Sequence, residues 1–361
     1  MKMKSKLAGI LAAALVSSGS AQQFTIAVIP DTQCYVANSV NRDTNKKYAV
    51  DQDAYFYEQM RYIADNAVSS GGDIAFAVHL GDFVQSQGTK PQEWERADKG
   101  MSILNGVLPF IFVPGNHDYD RTLSADGGTN NRIDGGTLYN QYFGPQSKYF
   151  ADKDWYGGSF NNGMNSYVVT NLGGKQFLFL GLELEPSDDA LEWAQRILDE
   201  HKTCATILVT HEYLSLYYEK DNPGRAALLS HTYRKGFSRN TPADLWKKLI
   251  SKNKQIFMVL CGHHFRGDEG ENARTDVNND GYKVYSLLSD YQGRNELFDI
   301  NNHKGKRLGC GDGWLRLMRF DLEKKQVSVQ TYSTAMQKYE KDANSEFTIT
   351  FDWDCEERFS E

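Results

Sequence analysis

Phe110-Ile111-Phe112-Val113-Pro114-Gly115-Asn116-His117-Asp118 is an apolar run stopped by proline and glycine and followed at once by an amide, an imidazole and a carboxylate. The apolar run predicts a strand covered on both faces. Pro114 and Gly115 end it, and Gly115 permits a sharp turn with close backbone approach. The chain therefore presents three metal-binding or proton-moving side chains from a strand end. The same arrangement recurs at Asp31-Thr32-Gln33, Gly81-Asp82, Thr210-His211-Glu212 and Gly262-His263-His264. In open α/β sheets, ligands gather outside the carboxyl ends of strands, so residues that follow such runs converge although they are distant in sequence. The five clusters are read as one site.

Further strand-like runs lie at 24–29, 74–80, 166–170, 177–182, 205–210, 256–261, 284–288, 315–320 and 326–331. Helical spacing fits 53–68, 92–104, 190–198 and 242–250, the last opening on Thr241 as cap and Pro242 in the first turn. Strands alternating with helices, then mostly strands, predict a layered α/β fold with sheets inside and helices outside. The stretch 121–163 is rich in Gly, Asn, Asp and Tyr with little periodicity. Two readings stand for it, an insertion overhanging the site or a plain surface excursion. Asp276 to Gly281 begins like a calcium loop, but the twelfth position is Leu287 where a bidentate acid is required, so a hairpin turn is the better reading.

Asp31 and Asp82 offer hard oxygen ligands, Asn116 an amide oxygen, and His211 and His263 imidazole nitrogen. Such a mixed set suits Zn, Mn or Fe better than calcium, which prefers oxygen alone.

In order and spacing these clusters resemble the calcineurin-like metallophosphoesterase family, whose pattern is Asp-x-His, Gly-Asp, Gly-Asn-His, a lone His after a strand, then Gly-His-x-His. The likeness covers roughly residues 24–265. More narrowly, Asp31-Thr32-Gln33, Asp290-Tyr291-Gln292 and Gly313-Trp314-Leu315-Arg316 are similar to an exported bacterial branch of it. The resemblance implies a four-layer α/β/β/α sandwich with mixed sheets over 22–335, followed by a C-terminal strand or tail at 336–361. It implies two transition metals, with Asp82 bridging them, Asn116, His211 and His263 on the second, and Asp31 on the first. His117 would protonate the leaving-group oxygen, and a metal-activated hydroxide would attack phosphorus.

Two departures fall on the first metal. Gln33 replaces an imidazole with a neutral carbonyl oxygen, a weaker ligand, and Phe265 occupies the last position of Gly-His-x-His. His264 is out of register, and Asp268, Glu269, Asp290 and Gln292 stand open as substitutes. The expectation is a firm second metal and a weak, exchangeable or absent first one. Gln85-Ser86 also departs from the Asp-Arg of the family's protein phosphatases and from the tyrosine of its purple acid phosphatases.

Composition bounds the partners. The formal charge of −7 becomes more negative without Lys2, Lys4 and Lys6, which disfavours general nucleic-acid binding. Those lysines, the apolar stretch 7–16 and the small residues 17–21 read as a signal peptide of residues 1–21, too short in its apolar part to span a bilayer. A buried N-terminal helix is the alternative. No cysteine at the leader's end carries a lipid, so the expectation is a periplasmic or extracellular protein without a membrane anchor. The five cysteines form no disulfide framework. His79 reads as a core histidine. Asp118 reads as a partner of His117 or a turn former, and Arg294 and Arg316 as phosphate or ion-pair partners. Trp155, Tyr156 and Trp314 read as core or as a substrate platform. The predicted function is hydrolysis of a small-molecule or glycan-linked phosphomonoester or phosphodiester. A degenerate relative that binds an anionic ligand is the rival, and oligomeric state is left open.

Overall fold

The computed structural model describes residues 22–37, 52–86, 90–120, 136–230, 239–294, 296, 311–353 and 356–360. From the N-terminal side come β1 (Gln23–Ile29), α1 (Gln33–Val36), α2 (Asp53–Asp65), β2 (Ile74–His79), α3 (Pro91–Met101), β3 (Phe110–Phe112) and α4 (Thr137–Phe143). Next are β4 (Tyr156–Phe160), β5 (Asn165–Leu172), β6 (Lys175–Leu182), α5 (Asp188–Glu200), β7 (Ala205–Thr210), β8 (Leu214–Glu219), β9 (Asn222–Leu228), α6 (Pro242–Lys248) and β10 (Ile256–Cys261). The chain continues through β11 (Glu271–Val277), β12 (Lys283–Ser289), β13 (Trp314–Asp321), β14 (Gln326–Ser333), β15 (Lys338–Tyr339) and β16 (Glu346–Thr350).

Two seven-stranded sheets form among the described residues. One runs β15-β14-β13-β1-β2-β3 with β16 on β14, the other β11-β12-β10-β7-β6-β5-β4. Alternation along the strands builds three cores. Phe24, Ile26 and Val28 point between the sheets and meet Phe177, Phe179, Ile207 and Val209 from the other sheet. Phe76 and Phe179 stack there with ring centroids 3.7 Å apart. Ala27 and Ile29 point the other way, to Phe56, Met60 and Ile63 of α2 and Trp94 of α3. Leu178, Leu180 and Leu182 face Leu191, Ala194 and Leu198 of α5. The result is a four-layer α/β/β/α sandwich, the fold class expected from sequence.

β1, β2 and β3 are parallel, and so are β6, β7, β10 and β12. Within each sheet their carboxyl ends lie together, and His211 at the end of β7 contacts Leu80 and Asn116 at the ends of β2 and β3, so the two sets meet at one edge of the sandwich, and each of the five clusters follows one of these strands.

One feature differs from expectation. In the stretch 121–163, the described part is not an overhang: α4 and β4 lie within it, and Phe143, Tyr149 and Phe150 are buried. Phe143 stacks on Phe83 at 4.5 Å and Trp155 meets Phe110 at 5.3 Å, so Trp155 is core rather than a substrate platform. Tyr156 stacks on Phe150 at 4.6 Å. Residues 121–135 lie outside the described residues, as do residues 1–21, read from sequence as a signal peptide. At the chain's end, β15 and β16 join the first sheet, and Ile349 and Phe351 complete the inter-sheet core. The segment 276–281 ends β11 and enters the turn of the β11–β12 hairpin, where Asn278 Oδ1 accepts from the Asp280 and Tyr282 amides.

Candidate metal centre

His211 follows β7 directly and is fully buried. Its Nδ1 lies 2.8 Å from the Leu80 carbonyl oxygen, which can only accept, so Nδ1 carries a hydrogen and Nε2 is the ring's ligand atom. Around Nε2 stand Asn116 Oδ1 at 3.0 Å, His263 Nδ1 at 3.1 Å and Asp82 Oδ2 at 3.4 Å. Four donor atoms at the corners of a tetrahedron about a zinc-sized ion sit about 3.3 Å from one another. The set fits a single cation in both spacing and chemistry.

The loops are held in register by backbone bonds, Thr32 N–H to Asp82 O at 3.1 Å and Gly262 N–H to His211 O at 2.9 Å. Two glycines are required by space. A Cβ on Gly115 would lie 2.2 Å from the Asp82 amide nitrogen, and one on Gly262 would lie 2.4 Å from Asp31 Oδ1. Asp82 and His263 take positive φ, 51° and 74°, conformations that cost side-chain-bearing residues energy and cluster at functional sites.

Burial opposes ionisation of Asp82, but the His211 and His117 imidazoles outweigh it and hold its carboxylate well below the usual range. Burial likewise opposes charge on His211, yet Asp82 and Asp31 raise it to about 10. The pocket is electrostatically made for positive charge. Asp31, fully buried, is pushed upward by desolvation and by Asp290, and desolvation raises Asp290 to about 6.

His117 is half-buried, its amide donating to Asp82 Oδ1 at 2.7 Å. Its Nδ1 sits 2.7 Å from the Gln85 carbonyl oxygen and donates to it, which leaves Nε2 as the atom that gives or takes a proton. Asp118 does not touch that ring. It accepts from the Gly115 and Val84 amides at 2.8 and 3.2 Å, clamping the loop that carries Asn116 and His117. Burial and Asp82 push Asp118 up to about 8. His79 is a buried core histidine, with Nδ1 accepting from the Gly81 amide and Nε2 at 3.1 Å from Thr32 Oγ1. Burial, then His211, keeps it neutral.

At the first-metal position, Asp31 accepts from the His263 amide at 3.2 Å and Gln33 Nε2 donates to Gln292 Oε1 at 2.6 Å. Gln33 Oε1 is buried and accepts from no described residue. Of the substitutes left open by sequence, Gln292 and Asp290 are adjacent: Gln292 Nε2 donates to Asp290 Oδ2 at 2.9 Å and lies 3.4 Å from Asp31 Oδ2. His264 is not a substitute, because its Nδ1 accepts from the Leu216 amide at 3.2 Å, and Asp268 and Glu269 are exposed. Arg294 and Arg316 pair with buried Glu271 rather than offering themselves to phosphate, and Trp314 is buried beside Arg294. Among the described residues Cys204 and Cys261 are free thiols, while Cys310 and Cys355 lie outside the described residues. The Gln85 carbonyl was not legible in sequence, since any residue supplies one.

Residues 24–267 match the family model of the calcineurin-like phosphoesterases. The chain belongs to the calcineurin-like phosphoesterase family. Among curated proteins the chain is 28% identical over 308 residues to an uncharacterized protein of Bacillus subtilis, YvnB, covering 84% of the chain but only 20% of that protein. It thus spans a fifth of that relative's length. Two solved structures were also compared. Vacuolar protein sorting 29 from Cryptosporidium parvum is 11% identical, with a TM-score of 0.31 over 91% of this chain and 98% of its own. A protein of unknown function, AQ665 from Aquifex aeolicus, is 17% identical, with a TM-score of 0.23 over 55% and 82%. Neither score is high enough to bear on fold or activity.

Proposed function

We propose that this member of the family is an exported hydrolase of phosphomonoesters or phosphodiesters, with a firm cation at the imidazole position and a weaker one beside Asp31. The observation that carries the reading is the convergence of Asp82 Oδ2, Asn116 Oδ1 and His263 Nδ1 on His211 Nε2, with His117 on the same loop as Asn116. When bound, the cations polarise the phosphoryl oxygens and acidify water for attack on phosphorus.

The chain's own residues supply the rest. Asp82, Asn116, His211 and His263 fix the reacting centre on the rigid ends of four strands. Asp118 holds the Gly115 loop so that His117 and Asn116 keep their spacing. The Gln85 carbonyl orients the His117 ring through Nδ1, and protonated Nε2 delivers the proton to the departing alkoxide oxygen. The substrate is a small-molecule or glycan-linked phosphoester.

Protein reconstituted with zinc or manganese is assayed on p-nitrophenyl and bis-p-nitrophenyl phosphate. The expected result is turnover that falls in His117→Ala with metal content unchanged. Equal, background hydrolysis by both proteins would remove the enzymatic reading. The rival, a one-cation module that binds an anionic ligand, draws on Gln33 and Phe265 standing where the family pattern has imidazoles. One metal per chain and no turnover would favour it.

Export rests on the leader-like residues 1–21, and no helix among the described residues is long and apolar enough to cross a membrane. Mass spectrometry of protein recovered outside the cytoplasm should find Gln22 at the N-terminus. An intact Met1 start in that fraction would count against cleavage.

A further inference from the structure

Gln33 and Gln292 are distant in sequence yet form a buried amide pair whose orientation is fixed from both ends. Gln292 Nε2 faces two acids, Asp290 Oδ2 at 2.9 Å and Asp31 Oδ2 at 3.4 Å, so its nitrogen must point toward them. Its Oε1 therefore points away, where it accepts from Gln33 Nε2 at 2.6 Å and from Cys34 Sγ at 3.5 Å. That in turn settles the Gln33 amide, leaving Oε1 as a buried acceptor without a donor among the described residues. An unpaired buried carbonyl oxygen is costly to the fold, a penalty that a cation removes. Gln33 and Gln292 are each only 5% exposed, and Asp31 and Asp290 1%, so solvent does not relieve it. Phe265, where the family pattern has an imidazole, lies against Gly293 instead: a Cβ there would come within 2.6 Å of its ring.

We infer that the first cation position is an all-oxygen site formed by Asp31, Asp82 and the Gln33 carbonyl, with Gln292 as its positioning residue in place of the missing imidazoles. Gln292, backed by Asp290, locks the Gln33 amide and one Asp31 oxygen at once. Oxygen-only donors suit hard cations such as Mn2+ or Mg2+, whereas the position at His211 and His263 suits zinc. The chain is thereby built for two different metals. This inference rests on the phosphoesterase reading only for the existence of two positions.

The test uses the full chain carrying one equivalent of Zn2+ and titrates Mn2+, following free Mn2+ and the nitrogen couplings of bound Mn2+ by electron paramagnetic resonance. The wild type should bind one Mn2+ without imidazole nitrogen coupling, and Gln33→His should introduce that coupling. Gln292→Ala should weaken Mn2+ by about 10- to 100-fold, as loss of a residue that orients a ligand does. Its zinc content should stay at one per chain, which also reports that the variant folds. Imidazole coupling in the wild type, no Mn2+ binding beside zinc, or unchanged Mn2+ affinity in Gln292→Ala would overturn the inference. Loss of the hydrolase reading would show separately, as intact metal binding with no turnover.

Discussion

His211 Nε2 is contested by a proton and a cation, because Nδ1 is tied to the Leu80 carbonyl and the surrounding acids raise the ring to about 10. Below that value the metal-free ring is charged, so a cation must displace its proton. Zinc uptake at about pH 8 should release about one proton, read by calorimetry in buffers of different ionisation enthalpy. Uptake without proton release would contradict the assignment of Nε2 as ligand. His117→Ala should lower kcat by roughly 100- to 10,000-fold, while zinc per chain stays constant in elemental analysis. A variant that loses metal as well would place His117 among the ligands. Gly115→Ala should destabilise the fold by at least about 1–3 kcal/mol, measured by urea unfolding, since the added methyl group meets the Asp82 backbone. At this scale the four residues that the fold brings together, Asp82, Asn116, His211 and His263, were legible in sequence, for polar ligand-type side chains at strand ends are distinctive. Their orienting partners were not legible. The Gln85 and Leu80 carbonyls carry no side-chain signature, and Asp118 differs from an ordinary turn aspartate only by the two amides it meets.

Ion pairing around β11 explains one strand that periodicity failed to predict. β11 reads Glu-Asn-Ala-Arg-Thr-Asp-Val, and its buried positions Glu271, Arg274 and Asp276 are charged, so no apolar alternation marks it. Arg274 pairs with Asp276 and Glu219, and Glu271 with Arg316 and Arg294, which replaces hydrophobic burial by matched charge. Runs such as 205–210 and 256–261 were legible because every residue in them is buried and apolar or small. Burial opposes charge on Glu271, but Arg316 and Arg294 outweigh it and lower its carboxyl from 4.5 to about 2. A depressed acid stabilises the fold above its ordinary value and loses that contribution as pH falls from 4.5 toward about 2. Thermal unfolding from pH 6 down should show this loss in the wild type and a flatter profile in Glu271→Gln. An unchanged profile would mean that Glu271 is not ionised in the fold. Arg316→Ala, which leaves the buried Glu271 carboxylate to Arg294 alone, should destabilise the fold in urea unfolding by up to about 3–5 kcal/mol.

Two sheets meet at the proposed cation. Asp82 and Asn116 follow strands of the first sheet, and His211 and His263 follow strands of the second. Sheets layered under helices were foreseeable because alternate residues of β1 and β6 are apolar on both faces, which only a sheet covered on both sides accommodates, while the four-layer sandwich followed from the family resemblance. The inward placement of 136–163 was not, since scattered aromatics among Gly and Asn lack a period and declare themselves only through packing. A cation bridging the sheets should stabilise the whole molecule, by about 2.7 kcal/mol when free metal is a hundredfold above Kd. Chelation should therefore lower Tm, and zinc should restore it. The measurement that bears most directly on the account is anomalous X-ray scattering at the zinc edge from crystals of zinc-loaded protein. The account predicts one strong peak enclosed by Asp82 Oδ2, Asn116 Oδ1, His211 Nε2 and His263 Nδ1. Zinc bound elsewhere, with those four atoms too far apart to share an ion, would contradict it.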